Sequence, residues 1–354
     1  MRIAIVHDWL KNISGAERVL IELHKIFPEA PIYTLFYDKQ FVRKWLPNAD
    51  IRASFLQRIP LITRFYILFS WLMPTAIESF DLSDFDKVLS SSVIFSKGLV
   101  LKPSTKHICY CYSPTRFLWD RNHDDQLSGI NYQWSKLIYK HLLRLWDRAA
   151  ADRVDQFVAI SKTVQKRIKK YYRRDSIIIY PPASSLTPDS GDNRFAPAAN
   201  RHLDSWPLAK RQASGPARRL AGGQELRPND HYLIVARLHV YKNIDIAIEA
   251  FNKLNYPLVI IGAGPDRKRL EHMASKNIIF LGEQDDSTLV EYYHACRAFI
   301  MPQEEDFGLT PLEAMSFGKP VVALRQGGAL ETIIEGRTGE FFDEHEQDVL
   351  AAGV

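Results

Sequence analysis

The sequence predicts an α/β protein of two parallel-sheet domains, on three observations. Short buried β-branched runs, such as Arg2-Ile3-Ala4-Ile5-Val6 and Tyr232-Leu233-Ile234-Val235-Ala236, each give way to a loop and then to a helical pattern. That order is interrupted once, between Asp189 and Asn229, by a stretch rich in Ala, Arg, Pro, Gly and Ser with no period. The chain's 354 residues are enough for a sizeable core in each of two domains. The expected division is an N-terminal domain over 1–182, a linker with the atypical insertion over 183–229, and a C-terminal domain over 230–354.

Composition narrows the function classes. Hydrophobic residues make up 46% and charged residues 25%, as in an ordinary soluble globular protein. A net charge of +5 is too weak to argue for nucleic acid as a partner. Cys109, Cys111 and Cys296 cannot all pair, and no metal-type spacing connects them, so they read as small core residues in a reducing cytoplasm. Met1 to Val6 leads straight into polar His7-Asp8, unlike a signal peptide, and the longest apolar stretch, Phe65 to Pro74, is too short to span a bilayer.

In chain order, the first strand feeds a Gly-bearing loop over His7 to Gly15 and a helix over Ala16 to Phe27, with Val19, Leu20, Leu23 and Phe27 on one face. Strand, Gly-bearing loop and helix is the plan that cradles phosphates, although one Gly is a weak signal. Ile32 to Leu35 is the second strand. Leu61 to Phe80 is aromatic and apolar with Pro74 interrupting it, and reads either as a packed helix or as an acceptor cleft or lipid-dipping surface. Asp84-Phe85-Asp86 precedes the strand that starts at Lys87 and reads as turn chemistry, not as a metal motif. His107 to Tyr112 is a strand, and Asp155 to Ser161 a strand ending at a helix cap. The helix Lys162 to Tyr172 carries a basic run that suits a solvated face or, at roughly 1 kcal/mol per residue, an anionic lipid surface. Pro181-Pro182 stiffens the hinge.

The richest stretch runs from Gln303 to Val322. It follows the strand Ala298 to Met301 and holds a loop with carboxylates, then a helix with Thr310 as N-cap and Glu313 at capping-box spacing. Seven residues separate Glu305 from Glu313, which places one on the loop at the strand's carboxyl end and one in the first helical turn. Open α/β sheets bind ligands at that edge, and ionised carboxylates accept hydrogen bonds from sugar hydroxyls. Arg237 and Lys242, five apart at a strand end and a helix start, suit a diphosphate as a fork and a point charge, or form a plain surface pair. Leu258 to Pro265 is a strand and a turn with Gly262 and Gly264, but Arg267 stands where a dinucleotide fingerprint needs its third Gly.

Glu305, Phe307-Gly308-Leu309 and Glu313 together resemble the E-x7-E signature of retaining glycosyltransferases of family 4. The resemblance implies a GT-B fold, two Rossmann-like domains facing a central cleft, with the C-terminal part truncated at Val354. It further implies that Glu305 contacts the donor sugar and Glu313 the nucleotide ribose, with backbone amides at Phe307, Gly308 and Leu309 helping to hold the sugar. Ser14-Gly15-Ala16-Glu17-Arg18-Val19 is similar to the family's Gly-Gly-Ala-Glu-Arg-Val, which puts Gly15 near the donor diphosphate, with Ser14 as a departure. The segment ending in Ser113-Pro114-Thr115-Arg116-Phe117-Leu118-Trp119-Asp120 resembles bacterial mannosyltransferases, with Tyr112 in place of the family's His beside the donor sugar. Arg116 and Asp120 are candidates there for acceptor or phosphate contacts, or for a pair bracing the loop. Similarity to the family's Arg-Leu-x-x-x-Lys assigns Arg237 and Lys242 to the diphosphate, and places Gly262, Gly264 and Glu283 near the nucleotide.

The implied activity is transfer of a hexose, mannose from GDP-mannose first, to a glycan or lipid-linked acceptor in cell-surface polysaccharide assembly. The nucleotide sugar is a substrate, and no metal or other cofactor is expected. The expected setting is cytoplasmic, with peripheral contact to anionic membrane at the inner face of the plasma membrane. A rival reading is a nucleotide-sugar-binding remnant without turnover, favoured by Ser14 and Tyr112. An NAD-dependent enzyme is disfavoured by the missing fingerprint and by Arg237 with Lys242.

Overall fold

A computed structural model describes residues 1–120, 133–182, 218–219, 225–226, 231–344 and 347–354. The chain folds as two units, Met1–Pro182 and Ala183–Val354.

In the first unit the chain runs β1 (Ile3–His7), α1 (Gly15–Ile26), β2 (Ile32–Thr34), α2 (Lys39–Trp45) and β3 (Ile51–Ala53). There follow α3 (Ile62–Phe65), a 3-10 helix (Tyr66–Leu72), α4 (Met73–Glu78), β4 (Lys87–Ser92), β5 (Lys106–Cys111) and α5 (Arg116–Trp119). The unit closes with α6 (Gln133–Asp152), β6 (Gln156–Ala159), α7 (Lys162–Arg167), a π-helical turn (Ile168–Tyr172) and β7 (Ser176–Ile178). The sheet order is β3-β2-β1-β4-β5-β6-β7, and every pairing is parallel. Such strands lie under helices on both faces, which is why they read as unbroken apolar runs. Ala4, Ile5 and Val6 are fully buried, and Leu20 of α1 packs with Ile5 and Ile32. Each buried Ile, Val or Leu side chain among these contributes about 1.5–3 kcal/mol by leaving water.

The packed helix expected over Leu61 to Phe80 is broken into three pieces. Pro74 lies in the first turn of α4 and starts that helix, because a first-turn residue needs no N–H partner. The 3-10 piece packs Tyr66, Phe69 and Leu72 on the core but leaves Leu68 and Trp71 each 63% exposed. Helix α6 also carries exposed apolar residues, Leu137, Ile138, Leu142 and Leu145. Asp84 lies in a turn closed by Phe85 N–H on the Leu82 carbonyl at 3.2 Å, the turn role expected of the Asp84-Phe85-Asp86 stretch, whereas Asp86 accepts the distant backbone N–H of Arg2 at 2.7 Å. Just past the basic helix, Arg174 turns inward to cap the end of α6, donating to the carbonyls of Ala151, Asp152 and Val154. Among the described residues no helix is long and apolar enough to cross a membrane.

The linker expected over 183–229 lies outside the described residues apart from one antiparallel pair, β8 (Arg218–Arg219) with β9 (Glu225–Leu226). The second unit continues β10 (Tyr232–Val235), a 3-10 turn (Val240–Lys242), α8 (Ile244–Leu254), β11 (Leu258–Ile261), α9 (Arg267–Met273) and β12 (Ile278–Gly282). Next come α10 (Asp286–Ala295), β13 (Phe299–Met301), α11 (Leu309–Ser316), β14 (Val321–Leu324), α12 (Ala329–Thr332), β15 (Gly339–Phe342) and α13 (Gln347–Gly353). The order β12-β11-β10-β13-β14-β15 is again parallel throughout. Both units therefore reverse direction beside their first strand, at β1/β4 and at β10/β13. A doubly wound sheet opens its ligand crevice at that reversal.

All three cysteines are buried free thiols, as expected. Each unit also buries a histidine whose pKa burial lowers to about 4, His107 in the first and His231 in the second. The unfolded chain binds these protons from about pH 6.5 downward, whereas the folded chain resists them until about pH 4. Their contribution is thus fully present above pH 6.5 and is lost as pH falls through that window. Neither ring nitrogen of His231 has a hydrogen-bond partner among the described residues. His231→Phe, similar in shape and apolar, is expected to abolish about 2 kcal/mol of the stability difference between pH 7 and pH 5. Urea unfolding of parent and variant at the two pH values checks this.

Candidate active site

The second unit gathers most of the sequence-predicted residues on loops at the carboxyl ends of its strands. The loop after β10 carries Arg237 and Lys242, and the loop after β13 carries Glu305 and Phe307. These two strands are the neighbours at the reversal. The Lys242 ammonium is paired with the Glu305 carboxylate by a short contact that ties one loop to the other. Lys242 is buried, whereas Arg237 on the same loop is exposed. Gln303 donates its amide N–H to Glu305 Oε1 at 3.0 Å, the same oxygen that takes the Lys242 ammonium.

Glycine packing draws the neighbouring loops together. Gly262 has φ of +140°, and a Cβ there would overlap the Ala236 carbonyl oxygen. Gly264 sits as closely against the Leu238 carbonyl, and Leu238 N–H bonds the Ala263 carbonyl at 2.9 Å. The loop after β11 is thereby pressed onto the loop that carries Arg237. On the other side, a Cβ on Gly328 would overlap the Phe307 backbone, and Gly328 N–H donates to the Glu305 carbonyl at 2.8 Å. Glu283 is exposed on the loop after β12, the edge strand.

Helix α11 departs from expectation at its start. Gly308, with φ of +86°, is the N-cap, and Leu309 is the first helical residue. Thr310 therefore lies inside the helix, and no side chain caps it. The positive φ of Gly308 lets the chain turn into the helix two residues before a Thr310 cap would. Glu313 is 6% exposed, and its Oε2 accepts the Tyr293 hydroxyl at 2.8 Å. Tyr293 and Gln303 were missed in the sequence. Gln303 sits inside the stretch singled out there, while Tyr293 on α10 leaves no signal beyond an ordinary core aromatic.

The corresponding reversal in the first unit is closed differently. Asp8, fully buried after β1, accepts four backbone N–H groups from Val93, Ile94, Phe95 and Ser96 at 2.6–2.8 Å. The amide nest that could take an anion there is filled by the chain's own carboxylate. Gly15 is the exposed first residue of α1, and Ser14 donates its hydroxyl to Glu17 instead of capping the helix. Tyr112 donates to the Ala16 carbonyl at 3.0 Å and meets Ser91 Oγ at 2.9 Å, and burial pushes its phenol well above the usual range. It stays a neutral hydrogen-bonding group joining β5 to the start of α1. Arg116 opens α5 and Asp120 closes it, with Asp120 N–H bonding the Arg116 carbonyl at 2.7 Å. The loop is braced by Asp147, which accepts Thr115 Oγ1 and Trp119 Nε1, each at 2.7 Å.

Residues 225–354 match the family described as glycosyl transferases group 1. The alpha-1,3/1,6-mannosyltransferase ALG2 of Candida glabrata is 25% identical over 391 residues, covering 94% of this chain and 78% of its own length. A GDP-mannose-dependent alpha-(1-6)-phosphatidylinositol monomannoside mannosyltransferase of Mycolicibacterium smegmatis is 30% identical over 181 residues, covering 45% and 47%. Among solved structures, Anabaena HepE in complex with UDP superposes with a TM-score of 0.63 at 17% identity, over 99% of this chain and 88% of that one. The second unit thus carries a group 1 glycosyltransferase domain, an enzyme domain, on a chain whose two Rossmann-like parallel sheets have the GT-B fold of glycosyltransferases.

Proposed function

We propose that the chain transfers mannose from GDP-mannose, with retention, to a lipid-linked or glycan acceptor in cell-surface polysaccharide assembly, working at an anionic membrane face. The observation that carries the reading is the Lys242–Glu305 pair across the β10/β13 reversal, with exposed Arg237 beside it. An incoming diphosphate competes with Glu305 for the Lys242 ammonium and takes the Arg237 guanidinium as a bidentate partner. Glu305 is then released to accept hydrogen bonds from the sugar hydroxyls.

In the step itself, the bond between the sugar's anomeric carbon and the diphosphate oxygen breaks, and its electron pair leaves with the diphosphate. The acceptor oxygen bonds the same carbon on the face just vacated, and its proton passes to the departing phosphate. Lys242 and Arg237 stabilise the charge that builds on the leaving group, the contribution usually largest in such reactions. Glu313, with one oxygen held by Tyr293, is assigned to the ribose, and Gly262, Gly264 and Glu283 to the nucleotide. By the sequence resemblance, Gly15, Tyr112, Arg116 and Asp120 of the first unit are assigned to donor or acceptor contacts. The GDP-mannose choice is supported by the M. smegmatis relative, a GDP-mannose-dependent mannosyltransferase, and by the sequence resemblance.

Calorimetric titration with GDP-mannose, other GDP-sugars, UDP-glucose and NAD tests the reading. The expected result is tightest binding of GDP-mannose, weakened about tenfold in Arg237→Ala. A preference for a UDP-sugar, or unchanged affinity in Arg237→Ala, overturns the donor assignment. Binding with no transfer to any lipid-linked saccharide would instead indicate a nucleotide-sugar-binding protein without turnover.

A further inference from the structure

The segment from Leu61 to Leu72 in the first unit has two apolar rows, and the core uses one of them. Residues three apart eclipse one another in a 3-10 helix. Tyr66, Phe69 and Leu72 form the row that packs inward. Phe65, Leu68 and Trp71 form the neighbouring row, exposed by 43%, 63% and 63%, and Leu61, 64% exposed, extends it by one helical turn. Single exposed apolar residues are ordinary, but four large ones in line are not.

A pocket of about 370 Å³ lies at the N-terminal end of this row, lined by Lys11, Asn12, Asp38, Gln40, Thr63 and Arg64. Both cations rest on the aromatic side chains of the segment. The Arg64 guanidinium lies 5.4 Å from the Phe65 ring centre, and the Lys11 ammonium 5.2 Å from that of Tyr66. The one carboxylate in the pocket, Asp38, spends an oxygen on the N–H groups of Gln40 and Phe41 at 2.8 and 3.0 Å. The pocket therefore offers two cations, a hydroxyl and two amides to an anion, beside a strip of apolar surface.

We propose that this surface docks on an anionic phospholipid bilayer, with Leu61, Leu68 and Trp71 entering the headgroup–acyl boundary and Lys11 with Arg64 taking a lipid phosphate. A free phosphate would fill the pocket and leave the row bare. The row stands out from the fold as exposed side chains, which suits the interface of a bilayer better than enclosure of one acyl chain. The two cations select anionic lipid. This deepens the membrane contact proposed above by giving it a surface, and it needs no sugar donor for its test.

The experiment is co-sedimentation of the full chain with vesicles of phosphatidylcholine alone and of phosphatidylcholine mixed with phosphatidylglycerol. The expected result is binding to the mixed vesicles, weakened about tenfold or more in Leu68→Ser/Trp71→Ser. Lys11→Ala/Arg64→Ala is expected to lose about fivefold per cation, and only on the mixed vesicles. Thermal melting matched to the parent shows that each variant is folded. No binding by the parent, or unchanged binding by a folded Leu68→Ser/Trp71→Ser, overturns the proposal. So does full displacement from vesicles by millimolar inorganic phosphate, which would make the pocket a site for the free ion. GDP-mannose affinity measured without vesicles reports separately on the donor reading, so either can fail alone.

Discussion

Lys242→Ala is expected to lower sugar transfer by about 10²–10³-fold, mainly in kcat, the scale seen when one preorganised charge partner is removed from a reacting group. Lys242 is 7% exposed in a tight turn, so its ammonium is fixed before substrate arrives. Truncation also takes the ammonium away from the Glu305 carboxylate, to which Gln303 still donates at 3.0 Å. Glu305→Gln keeps the shape and one oxygen for both Lys242 and Gln303, but it removes the negative charge that pairs with the ammonium. Its transfer rate is expected to fall by a similar factor, with thermal stability close to the parent's. Arg237→Ala should differ in kind. Arg237 is exposed and grips the diphosphate only once that is bound, so its loss raises KM more than it lowers kcat. Steady-state kinetics on the three variants decides the matter. Parental turnover in Lys242→Ala would remove the leaving-group role from the Lys242–Glu305 pair.

The alternation of strand and helix is legible because buried parallel strands are unbroken apolar runs, and each β1-like and β10-like run is one. The loops that meet are less legible. Glu305 follows Lys242 by 63 residues, and only the strand order β11-β10-β13 puts their loops side by side. Asp8 is 85 to 88 residues from the amides it collects, and a lone Asp after a strand gives no hint of them. Local misreadings have local causes. Thr310 and Glu313 have capping-box spacing, yet Gly308 at positive φ takes the cap because it alone turns the chain without strain. Over Leu61 to Phe80 the pattern mixes spacings of three and four. The chain resolves that mixture by changing helix type, which leaves one apolar row without a place in the core.

Asp147→Ala is expected to destabilise the first unit by about 3–5 kcal/mol, because it strands a buried ammonium. Lys97 is 1% exposed and Asp147 fully buried, with Lys97 Nζ 2.6 Å from Asp147 Oδ1. Burial alone would push the Lys97 pKa down, but the Asp147 carboxylate outweighs it and holds the ammonium charged, with its pKa raised. Asp147 also takes Thr115 and Trp119, so it anchors α6 to the segment that presents Arg116 and Asp120. Losing the anion should therefore free that segment as well as cost stability. Urea unfolding gives the first effect, and faster amide exchange over 113–120 gives the second. A paired variant separates charge from packing. In Lys97→Met/Asp147→Leu both ions go and similar volume stays, so stability should recover most of the loss. Thr115 and Trp119 would still lack their acceptor, so exchange over 113–120 should remain fast. If the paired variant is as unstable as Asp147→Ala, the hydrogen bonds to Thr115 and Trp119, and not the buried Lys97 charge, hold the unit together at this point.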